Sequence, residues 1–214
     1  MALSLIVFDC DGVLLESVDA KTQAFRQVAE PFGAEARDRL VLFHTLHGGV
    51  SRYEKFRWLY KEVLGREITQ PEMDELAARF VQYALDNVLN APFVPGALEV
   101  LETWKGRVPM YVCSGTPQSE LEAIFHKRNL EGYFDGLRGA PPAKAVMLGE
   151  ILRDSGVDPA EAVMVGDAST DREAAEINGT MFYGRGREFE GSPHAWGEDL
   201  TGLNTWLMQQ ARLK

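Results

Sequence analysis

Apolar positions along the chain follow two rhythms. Residues 3–8 (LSLIVF) form a short run that stops abruptly at Asp9-Cys10-Asp11-Gly12. Continuous rather than alternating apolarity suits a strand covered on both faces, as in the interior of a parallel sheet. The segment 19–32 instead spaces Ala20, Ala24, Phe25, Val28 and Ala29 at helical intervals, and similar patterns recur at 51–64 and 71–89. The last of these opens on Pro71 and acidic residues, a good helix start. From 17 to 90 the pattern predicts helices and no strand.

After Pro92 and Pro95-Gly96 the two rhythms alternate. Helices are predicted at 96–104, 117–129, 144–155 and 169–178, with strands at 107–113, 162–166 and 180–183. A Gly/Pro-rich stretch at 136–142 carries no predicted element. The segment 199–212, with Leu200, Leu203, Trp206 and Leu207, reads as a surface helix that packs internally or on a partner. Alternation of this kind implies βαβ units, hence an α/β fold with a doubly wound, mainly parallel sheet. The expected organisation is a split domain, 1–16 plus 92–214, interrupted by an all-helical insertion at 17–91.

Composition narrows the function classes. The 214 residues hold 22 basic and 32 acidic side chains, a formal charge of −10. That balance disfavours a nucleic-acid binder, which needs a positive face to displace phosphate counterions. Cys10 and Cys113 lack C-x-x-C spacing and cannot build a disulfide framework. No apolar run approaches the ~20 residues of a membrane helix, and the apolar start lacks the basic residues of a signal peptide. The expectation is a cytoplasmic protein without membrane or nucleic-acid partners, monomeric or homodimeric.

In an open parallel sheet, ligands bind beyond the carboxyl ends of the strands. Four such places carry chemistry here: Asp9 and Asp11 after the first strand, Ser114-Gly115-Thr116 after the second, Lys144 at a helix start, and Asp167 with Asp171 after strand 162–166. Carboxylates held close together repel, and each desolvated charge is costly unless compensated. Mg²⁺ resolves this, because it takes oxygen ligands and is held by a few carboxylates plus a phosphate. Ser114, helix amides and Lys144 suit an anion, and together they could stabilise a phosphoryl group in transfer. Asp9 could attack phosphorus, and Asp11 could give a proton to the leaving alcohol and later take one from water.

These stretches, FDCDGVLLES (8–17), VCSGTP (112–117), Lys144 and VGDASTD (165–171), resemble the haloacid dehalogenase superfamily of phosphohydrolases. The resemblance implies a Rossmann-like core, Asp9 as nucleophile, Asp11 as general acid/base, and Ser114, Gly115 and Lys144 on the phosphate. It also implies Mg²⁺ held by Asp9, Asp167, Asp171 and the Asp11 carbonyl. The insertion resembles the helical cap of the phosphoglycolate phosphatase and β-phosphoglucomutase subgroup, opening on residues near 14–18 and 90–95. A phosphatase of a small phosphorylated metabolite is expected, with a phosphosugar mutase as the first alternative and a non-catalytic phosphate-binding or phospho-accepting module as the second. Mutases carry a histidine near the position of Lys21, and true dehalogenases lack the acid that stands here as Asp11.

Within the insertion, Gly49-Val50-Ser51-Arg52 resembles a cap loop that points a basic side chain at substrate, which makes Arg52 a candidate substrate residue; Lys21, on the first helix of the insertion, and His47, beside Gly48-Gly49, are two more. Each has a plainer role open to it, as a solvated helical side chain. His44 and His47 lack a third soft ligand, which argues against zinc. Cys10 is expected to be a small buried hydrophobe.

Overall fold

The computed structural model describes residues 3–212. Its central sheet has six strands: β1 Leu5–Phe8, β2 Met110–Pro117, β3 Gly136–Ala140, β4 Ala162–Gly166, β5 Met181–Arg185 and β6 Ala195–Gly197. They lie in the order β3-β2-β1-β4-β5-β6, all parallel. The chain winds outward from β1 to β3, then crosses back to place β4 on the other side of β1. That reversal opens a crevice at the carboxyl end of β1.

The continuous apolarity of β1 has a direct cause. Ile6 and Phe8 enter one apolar cluster with helix α5 (Ala97–Trp104), helix α6 (Gln118–Lys127) and helix α9 (Leu203–Arg212). Leu5 and Val7 enter another, with α7 (Lys144–Ser155) and α8 (Ser169–Asn178), on the opposite face. All four side chains are fully buried, each stabilising the fold by about 1.5–3 kcal/mol relative to exposure. β4 repeats the device, with Val163 and Val165 on one face and Ala162 and Met164 on the other. Cys10 and Cys113 are buried thiols.

Helices α1 (Val18–Ala29), α2 (Ala34–Leu46), α3 (Arg52–Trp58, continuing as a π turn over Leu59–Val63) and α4 (Gln70–Asn90) close a third apolar cluster of their own. Its centre is Phe25, whose ring lies 5.8 Å from that of Phe56 and 4.5 Å from that of Phe80. The two chain segments that lead into and out of these helices run side by side. Glu16 N donates to Pro92 O at 2.9 Å and Val94 N to Leu14 O at 3.1 Å.

Some expected boundaries shift. β2 begins at Met110, not 107, because the chain is still turning after α5, with Arg107 N bonded to Trp104 O. It then runs on through Ser114 to Pro117 with an irregular register against β3. Two short edge strands, β3 and β6, were not expected. α9 packs inward through fully buried Leu203 and Leu207, and Trp206 lies against Tyr183. Among the described residues, no helix is long and apolar enough to cross a membrane.

Candidate active site

The sheet order makes β1 and β4 neighbours, and Phe8 pairs with Val165. The residues just beyond these strands therefore meet: Asp9 N donates to Val165 O at 2.9 Å, and Asp167 follows one residue after β4. Gly12, at φ +75, permits the turn; a Cβ there would fall 1.9 Å from Asp167 Oδ2, so no other residue fits without displacing that acid. Asp171 sits in the first turn of α8, where its Oδ2 accepts from Ala168 N at 3.1 Å. It caps the helix and faces the crevice at once.

One carboxylate oxygen from each of Asp9, Asp167 and Asp171 lies within 4.8 Å of the others. Lys144 Nζ reaches Asp9 Oδ2 at 2.7 Å and Asp171 Oδ1 at 2.6 Å. One lysine pairs with two buried acids, with half-buried Asp167 beside them, and the charges register the deficit. Burial, only partly offset by Lys144, pushes the Asp9 carboxyl up to about 7. Burial and then the charges of Asp9 and Asp171 hold Asp167 well above the usual carboxylate range. Burial also raises Asp171, against the pull of Lys144. An all-oxygen donor set with surplus negative charge fits a hard divalent cation.

Asp11 is arranged differently. Its Oδ1 accepts from the Ser17 hydroxyl and its Oδ2 pairs with Lys21 Nζ. Thr116 Oγ1 donates to Oδ2 at 3.1 Å and accepts from Lys21 Nζ at 2.9 Å. Burial alone would raise Asp11, but Lys21 with the bonds from Lys21, Ser17 and Thr116 outweighs it and holds the carboxyl below its ordinary value. The two aspartates, two residues apart, are thus pushed in opposite directions: burial prevails at Asp9 despite Lys144, whereas Lys21 and the hydroxyls outweigh burial at Asp11.

The crevice opens into a cavity of about 470 Å³, with Asp9, Asp11 and Asp167 on its floor and Phe25, Arg52 and Lys55 on its helical side. That volume suits a small metabolite. The loop before α3 reaches the sheet: Thr170 Oγ1 donates to Gly48 O at 3.2 Å. Gly115 lies so close to it that a Cβ there would fall 2.4 Å from Gly49 O. Gly115 also lines a second cavity, of about 410 Å³, behind this loop, and Lys144 lines that second cavity.

Of the residues singled out from sequence, Asp9, Asp11, Asp167, Asp171, Lys144, Gly115, Lys21 and Arg52 converge here. Arg52 is buried, pairs with Glu120 and lies 4.5 Å over the Phe80 ring. His47 departs from expectation. It is exposed, packs on Phe43 at 4.3 Å, and is absent from the cavity wall. α2 ends at Leu46, and the non-helical backbone at His47 (φ −123, ψ 62) turns its ring away; His44, one turn earlier, lines the cavity instead. Ser114 is fully buried and its Oγ accepts from Thr116 N at 3.1 Å. Helix α6 starts at Gln118, one residue after the expected start. Ser17, Lys55 and His44 were not foreseen as site residues, and Thr116 was noted only as part of the motif after the second strand. Only the hydroxyls, next to acidic motifs, left a trace in the sequence.

A profile of haloacid dehalogenase-like hydrolases matches residues 3–179. The chain belongs to this family. Escherichia coli fructose-1-phosphate phosphatase YqaB is 26% identical over 145 residues, spanning 65% of this chain and 70% of that one. A Clostridium difficile β-phosphoglucomutase structure superposes with a TM-score of 0.79 at 18% identity, covering 99% of this chain and 97% of that chain. Bacillus subtilis YfnB, in a magnesium-bound crystal form, superposes with a TM-score of 0.73 at 14% identity, covering 97% and 100%. As a haloacid dehalogenase-like hydrolase, the chain places its four family motifs at three neighbouring strand ends and one helix start, around a single crevice.

Proposed function

We propose that the protein is a Mg²⁺-dependent phosphatase of small phosphomonoesters that works through an aspartyl phosphate on Asp9. The observation that carries this reading is the three-carboxylate cluster of Asp9, Asp167 and Asp171, bridged by Lys144, beneath a metabolite-sized cavity. Residues 17–91 act as a cap over a catalytic core of 1–16 and 92–214, moving about the paired segments near Leu14 and Val94. Asp9, Asp167, Asp171 and the Asp11 carbonyl would hold the metal, which when bound neutralises the acids and the phosphate charge. Lys144, Gly115 and Ser114 would hold phosphate oxygens; the Ser114 hydroxyl accepts from Thr116 N and keeps its own proton to donate.

In the first step a carboxylate oxygen of Asp9 bonds to phosphorus as the bond to the alcohol oxygen breaks, and Asp11 delivers the proton that oxygen needs. In the second, Asp11 takes a proton from water, the water oxygen bonds to phosphorus, and the bond to Asp9 breaks, releasing phosphate. Lys21 holds Asp11 ionised in the present arrangement, the form the second step requires. Lys21 turning to the substrate anion lets burial raise Asp11, which the first step requires.

Phosphate release from a panel of phosphorylated metabolites, with Mg²⁺ and with chelator, tests the assignment. Metal-dependent turnover of phosphomonoesters is expected. Isomerisation dependent on a bisphosphate activator, without net phosphate release, would instead mark a mutase. Metal affinity is also expected to rise with pH from 6 to 8. Asp9 and Asp167 are raised in the metal-free protein, so the cation must displace protons that are held more firmly at lower pH. Calorimetric Mg²⁺ titrations at the two pH values check this; equal affinity would mean the cation binds elsewhere.

A further inference from the structure

Two linkers join the helical insertion to the sheet, and their backbone bonds tie them to each other and to the turn after β1. Glu16 N donates to Pro92 O and Val94 N to Leu14 O, while Leu14 N and Leu15 N both donate to Cys10 O. One side chain reaches the first linker from across the sheet. Arg185 ends β5, which is separated from β1 by β4, and its Nη2 donates to Glu16 Oε1 at 2.6 Å. Among the described residues, no other ion pair involves residues 14–18. Arg185 is not a freely solvated arginine: its side chain is 22% exposed, and its Nε is buried without a partner.

Glu16 stands next to a residue that touches the chemistry. Ser17 is fully buried, its N donates to Leu15 O at 2.8 Å, and its hydroxyl donates to Asp11 Oδ1. Helix α1 begins directly after it and brings Lys21 to Asp11 Oδ2. Of the three side chains that bond the Asp11 carboxylate, two therefore stand on the linker and α1, and Thr116 alone belongs to the sheet. A shift of the linker shifts two of these partners, and about 1 Å of misplacement at a reacting group can cost on the order of 10²-fold. An unpaired buried N–H is costly, and an arginine at a strand end escapes that cost by turning its head into water. Arg185 keeps the costly arrangement, a local departure of the kind found where structure serves a site. The pair is only partly buried, so it adds little to global stability; what it supplies is position.

We propose that Arg185 is a positioning residue for Asp11. Paired with Glu16, it fixes the first linker so that Ser17 and Lys21 present the acid/base carboxyl to the leaving oxygen. This rests on the phosphatase reading and adds to it a side chain from a strand that carries none of the site acids. Leu14 lies just ahead of Glu16, so a cap turning there carries Glu16 toward or away from Arg185, and the pair forms on closure.

Turnover of an alkyl phosphate with Mg²⁺ tests it in two backgrounds. In the otherwise wild-type enzyme, Arg185→Met and Glu16→Gln each lower kcat about tenfold, and exchanging the charges (Glu16→Arg with Arg185→Glu) recovers it to within about threefold. Glu16→Gln alters a half-buried side chain, so the result does not depend on how Arg185→Met folds. In Asp11→Asn, where no acid/base is left to place, Arg185→Met changes the residual rate less than about twofold. Hydrogen exchange supplies a readout without substrate: the Glu16 and Ser17 amides exchange about tenfold faster in Arg185→Met, and slow again in the charge-exchanged protein. Equal losses in both backgrounds overturn the proposal, since Arg185 then acts through the fold and not through Asp11. A loss that charge exchange leaves in place, or amide exchange indifferent to Arg185, also overturns it. A wild type that hydrolyses no ester removes the phosphatase reading, whereas a hydrolysing wild type whose turnover ignores Arg185 removes the positioning role alone.

Discussion

Asp9→Asn is expected to lower phosphate release by on the order of 10⁴-fold or more, while the protein stays folded. An amide is a poor nucleophile toward phosphorus, and removing the attacking group of a covalent mechanism costs several orders of magnitude. The fold tolerates the change because Asp9 is a source of repulsion as well as of attraction. Burial, Asp171 and Asp11 all work against its ionised form. The amide oxygen can still accept from Cys10 N, which bonds Asp9 Oδ1 at 2.7 Å, and Lys144 keeps Asp171 as its partner at 2.6 Å. In the metal-free state Tm therefore stays level or rises. Steady-state phosphate assays beside thermal unfolding check both halves. Normal turnover would remove the covalent mechanism, and loss of turnover through unfolding would show Asp9 to be structural.

Asp11→Asn is expected to cost about 10²–10⁴-fold with alkyl phosphates, the usual range for general acid–base catalysis. Aryl phosphates separate its two roles. A phenolate leaves without protonation, so the first step survives while the second, which needs a base for water, remains slow. A burst of aryl alcohol equal to about one per chain, followed by slow turnover, is the predicted signature in stopped-flow assays. Equal losses at both steps and with both leaving groups would contradict it. The variant also places an amide N–H₂ or a lone amide oxygen where Lys21, Ser17 and Thr116 now meet a carboxylate. Lys21 loses its anion, so a moderate fall in stability accompanies the kinetic effect.

The parts of the molecule that could be read in advance are those where one pattern had one physical cause. β1 and β4 are covered on both faces, so their apolarity is continuous, and the acids that end each run stand at the carboxyl end of the sheet. β3 (GLRGA) was hidden by two glycines and an arginine, weak strand formers tolerated at an edge with a single strand neighbour. β6 is only three residues long. α2 lacks an apolar stripe, since Leu42 and Leu46 are exposed while Leu40 is buried, and its length was read only as generally helical.

The core acids were legible because their motifs lie at strand ends that the topology makes adjacent. The cap wall was not. Lys55 sits in a sequence (RYEKFRW) that reads as a solvated helix face, and only tertiary packing against Phe25 and His44 buries it. His44 and His47 differ by less than one helical turn, so a shift in where α2 ends decides which of them meets the cavity. Thr116 stood in the motif after the second strand, and the extension of β2 makes it a partner of Asp11.

The proposed mechanism requires that Asp9 become covalently phosphorylated. The most direct measurement is an acid quench during turnover of a good substrate, borohydride reduction of any acyl phosphate, and mass analysis of the peptide that spans residues 5–15. The mechanism predicts a mass change located at Asp9 that requires both substrate and Mg²⁺. Steady phosphate release with Asp9 unmodified, or with the modification at Asp11, Asp167 or Asp171, would contradict it.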